Sequence, residues 1–201
     1  MTDHLLAGAG RGGRALYDRR RDERDACGIG FVADVQGRAS RAILDTALCG
    51  LERLRHRGAV AADARTGDGA GVLLPLPAGF FAGPEAEESG DRYGVAMAFL
   101  PRDPEDAKEA RRVVEQALVA ERLELLWWRP VPVDHGALGD TARGNAPAIE
   151  QAVFRVAGDE GGEEAERRCF RAGRRAALAA KAAGVALYLA SCSTRTVTYK
   201  A

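Results

Sequence analysis

No charge of either sign prevails in this chain: 29 lysines and arginines stand against 29 aspartates and glutamates in 201 residues. Such a balance supplies no global field to draw the chain to nucleic acid or to an anionic membrane, so neither is expected as a partner. Long apolar runs are missing as well, and none approaches the roughly 18 residues needed to span a bilayer. The apolar pieces around Leu5-Leu6 and Leu16-Tyr17 are too short for a signal-peptide core. Cysteine is scarce. Cys27, Cys49, Cys169 and Cys192 lie far apart without a Cys-x-x-Cys pair, which argues against a zinc site and a disulfide framework. Histidines are dispersed, with His4 near the start and His135 in a polar stretch, so no metal site is expected. A reducing, cytoplasmic setting follows as the default.

What is present fits a globular protein. Hydrophobic residues make up 46% and charged residues 29%, an ordinary balance for a packed core with a solvated surface. Residues 1–26 are rich in glycine and charge without periodicity, and read as a leader or propeptide; 27–201 reads as one domain. Cys27 to Asp34 reads as a short buried strand, closed by a turn at Gln36-Gly37. Ser40 caps a helix with Leu44, Ala47, Leu48 and Leu51 on one face. A glycine-dense loop, Thr66 to Gly71, runs into a strand over 72–76, and 79–91 reads as an exposed acidic loop. Tyr93 to Leu100 is a strand. Asp103-Pro104-Glu105-Asp106 is a helix start, with a capping aspartate, proline in the first turn and acids at the positive dipole end. Ala107, Ala110, Val114 and Ala117 give that helix its apolar stripe. Strands are expected over 123–133 and 149–156, with a loop at 134–147. A helix follows over 163–183, closed by Gly184. Strand-like runs at 185–190 and 194–199 end the pattern, which is α+β.

Three stretches could carry chemistry. Cys27 opens a glycine-flanked strand, Cys-Gly-Ile-Gly-Phe, where other backbone can approach the sulfur closely. A lone cysteine is more often a small core residue. If the leader is removed, however, Cys27 gains a free α-amine with a pKa of about 8, near the thiol's own value of about 8.5, and that amine can take the thiol proton. His56-Arg57-Gly58-Ala59 would serve equally as a helix C-terminus, with cations on the dipole and glycine as cap. Thr66-Gly67-Asp68-Gly69-Ala70-Gly71 lacks the Gly-x-Gly-x-x-Gly spacing of a phosphate loop and leads into a strand, so a tight turn beside a site fits it better. Asp68 is either a hydrogen-bond anchor or a turn residue. Trp127-Trp128 is expected to supply core and interface area. Ser191 to Arg195 lacks the frame of a nucleophile elbow.

Taken in order, Asp25-Ala-Cys-Gly-Ile-Gly-Phe-Val-Ala33, Leu54-Arg-His-Arg-Gly-Ala59, Thr66-Gly-Asp-Gly-Ala-Gly-Val72 and Leu187-Tyr-Leu-Ala-Ser-Cys-Ser-Thr-Arg-Thr-Val-Thr-Tyr-Lys200 resemble the class II glutamine amidotransferase domain that opens the glutamate synthase large subunit. The resemblance covers nearly all of 25–200. It implies an N-terminal-nucleophile hydrolase fold, a four-layer αββα arrangement expected to be incomplete at the C-terminus. It also implies cleavage between Ala26 and Cys27, attack of Cys27 on the side-chain amide of L-glutamine, and hydrolysis of the thioester to glutamate. By resemblance Arg57 and Gly58 lie near the nucleophile, with Gly67, Asp68 and Gly69 in the framework close by. The full-length enzymes of the family add a synthase domain with FMN and an iron–sulfur cluster, where ammonia is used to aminate 2-oxoglutarate, and a small subunit. No cofactor is expected in this chain itself.

Two family motifs are missing. The Arg-Phe-Ser-Thr segment that grips the substrate carboxylate and the His-Asn-Gly segment that forms the oxyanion hole do not occur, and the chain has no Asn-Gly dipeptide. Loss of a single oxyanion donor costs about 10²–10³ in rate, so little or no glutaminase activity is expected from this chain alone. The alternatives are a non-catalytic module that binds glutamine or a partner, and another class II amidotransferase; the Thr-Gly-Asp-Gly-Ala-Gly run beside His-Arg-Gly-Ala disfavours the latter.

Overall fold

The computed structural model describes residues 28–54, 65–67, 69–83, 91–156 and 162–200. In chain order these form α1 (Arg41–Arg53), β1 (Gly71–Pro75), α2 (Ala78–Ala82), β2 (Tyr93–Leu100), α3 (Pro104–Ala120), β3 (Leu123–Pro130), α4 (Asp140–Asn145), β4 (Ala148–Val156), α5 (Gly162–Ala183), β5 (Tyr188–Ser193) and β6 (Thr196–Lys200). Four strands lie side by side in the order β3-β4-β2-β5, and β1 pairs with β6 in a second sheet. Every pairing is antiparallel.

Burial explains why β2 reads as a near-continuous apolar run and why β4 carries the apolar stretch Ala152-Val153-Phe154. Both of their faces are covered. On one face Ala96, Ala152 and Phe154 meet α3 and α5, with Ala98 and Leu100 beside them. On the other, Val95, Met97 and Val153 meet Val197, Leu74 and Tyr199 of the second sheet and Phe81 of α2. The described residues thus form three layers: helices, a four-stranded sheet and a two-stranded sheet. Side chains as large as Phe154, Met97 and Leu100 are fully buried in them, each contributing about 1.5–3 kcal/mol by leaving water.

The helical layer sits close to the sheet because its contact stripe is small. Ala165, Cys169, Ala172, Ala176 and Ala180 are all buried along one face of α5, spaced three or four residues apart as a single helix face requires. Helix α3 starts as expected: the Asp103 carboxylate accepts from Glu105 N and Asp106 N, with Pro104 in the first turn. Its end is held electrostatically. Glu121, only 6% exposed, accepts from Arg171 Nε at 2.7 Å and from Arg175 Nε at 2.6 Å. Arg168 donates to the carbonyls of Glu121 and Arg122, across a turn in which Arg122 takes φ 57°. Burial pushes the Glu121 carboxyl up, but hydrogen bonds and charge from Arg171 and Arg175 outweigh it and hold the group below its ordinary value.

Several expectations are corrected. The 28–35 stretch makes no ladder, and Ile29, Phe31 and Val35 are almost fully exposed; a period-2 apolar pattern gives a buried strand only where a partner strand covers it. The expected acidic loop at 79–91 contains most of α2, whose Phe81 is buried. Residues 134–147 contain α4. The two final strands lie two to three residues later than their apolar runs begin. Helix α1 is capped as expected, with Ser40 accepting from Ile43 N. None of its residues is buried, however. Among the described residues no helix is long and apolar enough to cross a membrane.

Candidate active site

The glycine loop meets the second sheet at Gly71. Antiparallel pairing sets Gly71 opposite Lys200 and Val72 opposite Tyr199, so the run at the end of the chain pairs internally. A methyl group on Gly71 would stand 3.0 Å from the Tyr199 carbonyl oxygen, tight enough that the backbone would have to give way. Gly69 takes φ 85°, a region costly for residues with a Cβ. Gly71 therefore serves a close backbone approach and Gly69 a sharp turn.

The segment entering that loop rests on α4 and the residues before it. Thr66 Oγ1 accepts a 3.3 Å hydrogen bond from Ala142 N, one of the first-turn amides that a helix leaves without an internal partner. Arg65 Nη2 donates to the Gly136 carbonyl at 3.0 Å. The far end of α4 is gripped by the Arg102 guanidinium, which donates to the carbonyls of Arg143, Gly144 and Ala146. Arg143 in turn donates to the carbonyls of His135 and Leu138, and Asp134 Oδ1 accepts from Gly136 N. Residues 134–146 are thus held by side chains that bond their backbone, Arg65 and Thr66 near one end and Arg102 at the other.

Two polar joints fix β6, which carries the other side of the Gly71 pairing. In the β5–β6 turn, Glu166 of α5 accepts from Ser193 Oγ at 2.8 Å, Thr194 N at 2.7 Å and Thr194 Oγ1 at 2.6 Å. Between the sheets, Gln151 Nε2 donates to the Tyr199 hydroxyl at 3.2 Å, and Gln151 Oε1 accepts from Arg129 Nη1 at 2.7 Å. The Arg129 guanidinium also lies 4.9 Å from the centroid of the Phe80 ring, a cation–π distance. Sequence reading missed these joints. Glu166 and Gln151 sit in a helix and a strand with nothing local to mark them, and only tertiary pairing gives them their roles.

Of the expected site residues, Gly67 and Gly69 are described and lie on the loop leading to β1. Cys27, Arg57, Gly58 and Asp68 lie outside the described residues. The remaining cysteines are free thiols, with Cys49 exposed and Cys169 buried. The Cys192 thiol is pushed well above its ordinary value, first by a hydrogen bond with Cys169 and then by burial. A thiol held protonated in this way is a poor nucleophile.

The match to known proteins follows the same residues. A family model, "Glutamine amidotransferases class-II", matches residues 27–201. The chain belongs to that family, and its helices and antiparallel sheets are the α+β fold of N-terminal-nucleophile hydrolases. Its relatives are glutamate synthases. It is 38% identical over 186 residues to ferredoxin-dependent glutamate synthase 2 of Synechocystis sp., covering 89% of this chain and 12% of that protein. It is 35% identical over 187 residues to the large chain of the NADPH glutamate synthase of Azospirillum brasilense, covering 89% of this chain and 12% of the relative. With the corresponding large chain of Bacillus subtilis the identity is 33% over 195 residues, covering 93% and 12%. The chain therefore spans about an eighth of the length of these relatives.

Proposed function

We propose that this chain is the glutamine-hydrolysing module of a glutamate synthase, with Cys27 as nucleophile after removal of residues 1–26. The observation that carries the reading is the start of the family match, which falls on Cys27 itself. The poor nucleophilicity of Cys192 and the burial of Cys169 support it by contrast.

In this reading the Cys27 α-amine takes the thiol proton and the sulfur attacks the side-chain amide carbon of L-glutamine. The carbon–nitrogen bond breaks, and the nitrogen leaves as ammonia with the transferred proton. Water then attacks the thioester, releasing glutamate and restoring the thiol. The resemblance to the family assigns Arg57 and Gly58 to the surroundings of the nucleophile, and Gly67, Asp68 and Gly69 to the framework near it. Gly69 and Gly71 have the backbone geometry a tight turn needs.

Ammonia would pass to the synthase domain to aminate 2-oxoglutarate, with the remaining synthase domains and a small subunit as partners in the full enzyme. FMN and an iron–sulfur cluster belong to that domain. The free thiols of Cys49, Cys169 and Cys192 support a reducing, cytoplasmic setting.

The intact mass of the purified chain tests this reading. The expected species lacks Met1–Ala26 and begins at Cys27. A full-length mass contradicts a processed nucleophile and favours a non-catalytic module.

A further inference from the structure

Helix α5 has two opposite faces. One is the buried stripe of Ala165, Cys169, Ala172, Ala176 and Ala180. On the other side Glu163, Arg167, Phe170, Arg174, Leu178 and Lys181 recur at the same three- and four-residue spacing, and all six are exposed. Phe170 is 69% exposed and Leu178 61%, a costly position for side chains of that size. Arg167 is bridged to Glu163 and Glu164. Among the described residues Arg174 and Lys181 make no side-chain hydrogen bond or ion pair.

We propose that this stripe pairs with the same stripe of a second copy of the chain, the two α5 helices running antiparallel about a two-fold axis level with Ala172. The stripe is complementary to its own reversal. Phe170 and Arg174 stand equally far from Ala172 on either side, as do Glu163 and Lys181. A two-fold contact joins the first of each pair to the second in both directions. Phe170 therefore takes the partner's unpaired Arg174 over its ring, a cation–π contact, and Glu163 meets the partner's Lys181. Ala177 and Leu178 lie over the aliphatic stem of the partner's Arg167, so no like charges are opposed. Sliding the helices one turn toward their C-termini would set Arg174 on its own counterpart and Arg167 on Lys181, and like charge opposes that register. The pairing is independent of Cys27.

Sedimentation velocity of the full chain, from micromolar to near-millimolar concentration, tests this. The parent is expected to pass from monomer to dimer, a weak one because a single helix pair buries less than the roughly 1,200 Å² of a stable complex. Phe170→Glu is expected to raise the dissociation constant about tenfold or more, as loss of an aromatic anchor does, and to leave the thermal midpoint of the monomer unchanged. Glu163→Lys and Lys181→Glu are each expected to weaken the dimer, and the double reversal Glu163→Lys with Lys181→Glu to regain affinity. A chain monomeric throughout overturns the proposal and leaves the stripe to a partner of another kind. A dimer indifferent to Phe170→Glu uses another surface. A double reversal no tighter than the single ones means that the helices do not meet in this register, and either result also overturns the pairing.

Discussion

The Tyr199 hydroxyl accepts a 3.2 Å hydrogen bond from the Gln151 side-chain amide, joining the two sheets inside their shared core. Gln151 is fully buried, and its carbonyl is already taken by Arg129. Among the described residues no buried side-chain nitrogen or oxygen lacks a partner.

Tyr199→Phe removes only the hydroxyl and leaves a buried amide donor without its acceptor. Such a group costs about 1–3 kcal/mol. Denaturant unfolding followed by circular dichroism is expected to show a loss of that size, with the slope of the transition unchanged. A loss below about 0.5 kcal/mol, the range of neutral surface changes, would mean that the joint does not hold the sheets.

Glu121 ties the end of α3 to Arg171 and Arg175 of α5 and titrates below its ordinary value of 4.5 in the folded chain. Its unfolded counterpart binds a proton at higher pH, so the contribution is complete above about pH 5 and is lost as pH falls through the folded value. Thermal midpoints measured from pH 6 down to pH 3 are expected to fall less steeply in Glu121→Gln than in the parent. Glu109, Glu164 and Asp34 are also lowered by arginine partners, so a residual slope remains in the variant. Parallel slopes for variant and parent would remove Glu121 from the account.

Cys169 and Cys192 face each other between α5 and β5, the first fully buried and the second held protonated. Both are expected to resist a thiol-reactive disulfide reagent in the native chain at pH 7.5 and to react on unfolding, whereas Cys49 reacts at once. Modification of Cys192 at the rate of Cys49 would contradict that packing.

Much of the scaffold was legible in the sequence because it is local. The Asp103-Pro104 start of α3, the Ser40 cap of α1, the strand at Tyr93–Leu100 and the α5 helix all announce themselves through caps, dipoles and periodicity. What was not legible depends on partners distant in sequence. Helix α4 is six residues long, too short for a periodic signal, and gains support from Thr66 and Arg102. The exposed Ile29 and Phe31 carry a buried-strand pattern without a covering strand among the described residues. At the site, the motif glycines were readable because backbone geometry demands them. The Glu166 and Gln151 joints were not, since nothing in their own neighbourhood in sequence differs from an ordinary polar position, and the Thr66 joint was not because its partner, Ala142, lies 76 residues away.

The central claim is that Cys27 becomes an N-terminal nucleophile. Only a cysteine bearing its own free α-amine condenses with 2-cyanobenzothiazole to a stable ring, so that reagent followed by peptide mapping tests the claim most directly. The account predicts an adduct on Cys27 of the purified chain, absent from Cys27→Ser and from Cys49, Cys169 and Cys192. Recovery of Cys27 unmodified, inside a peptide still joined to Ala26, would contradict it.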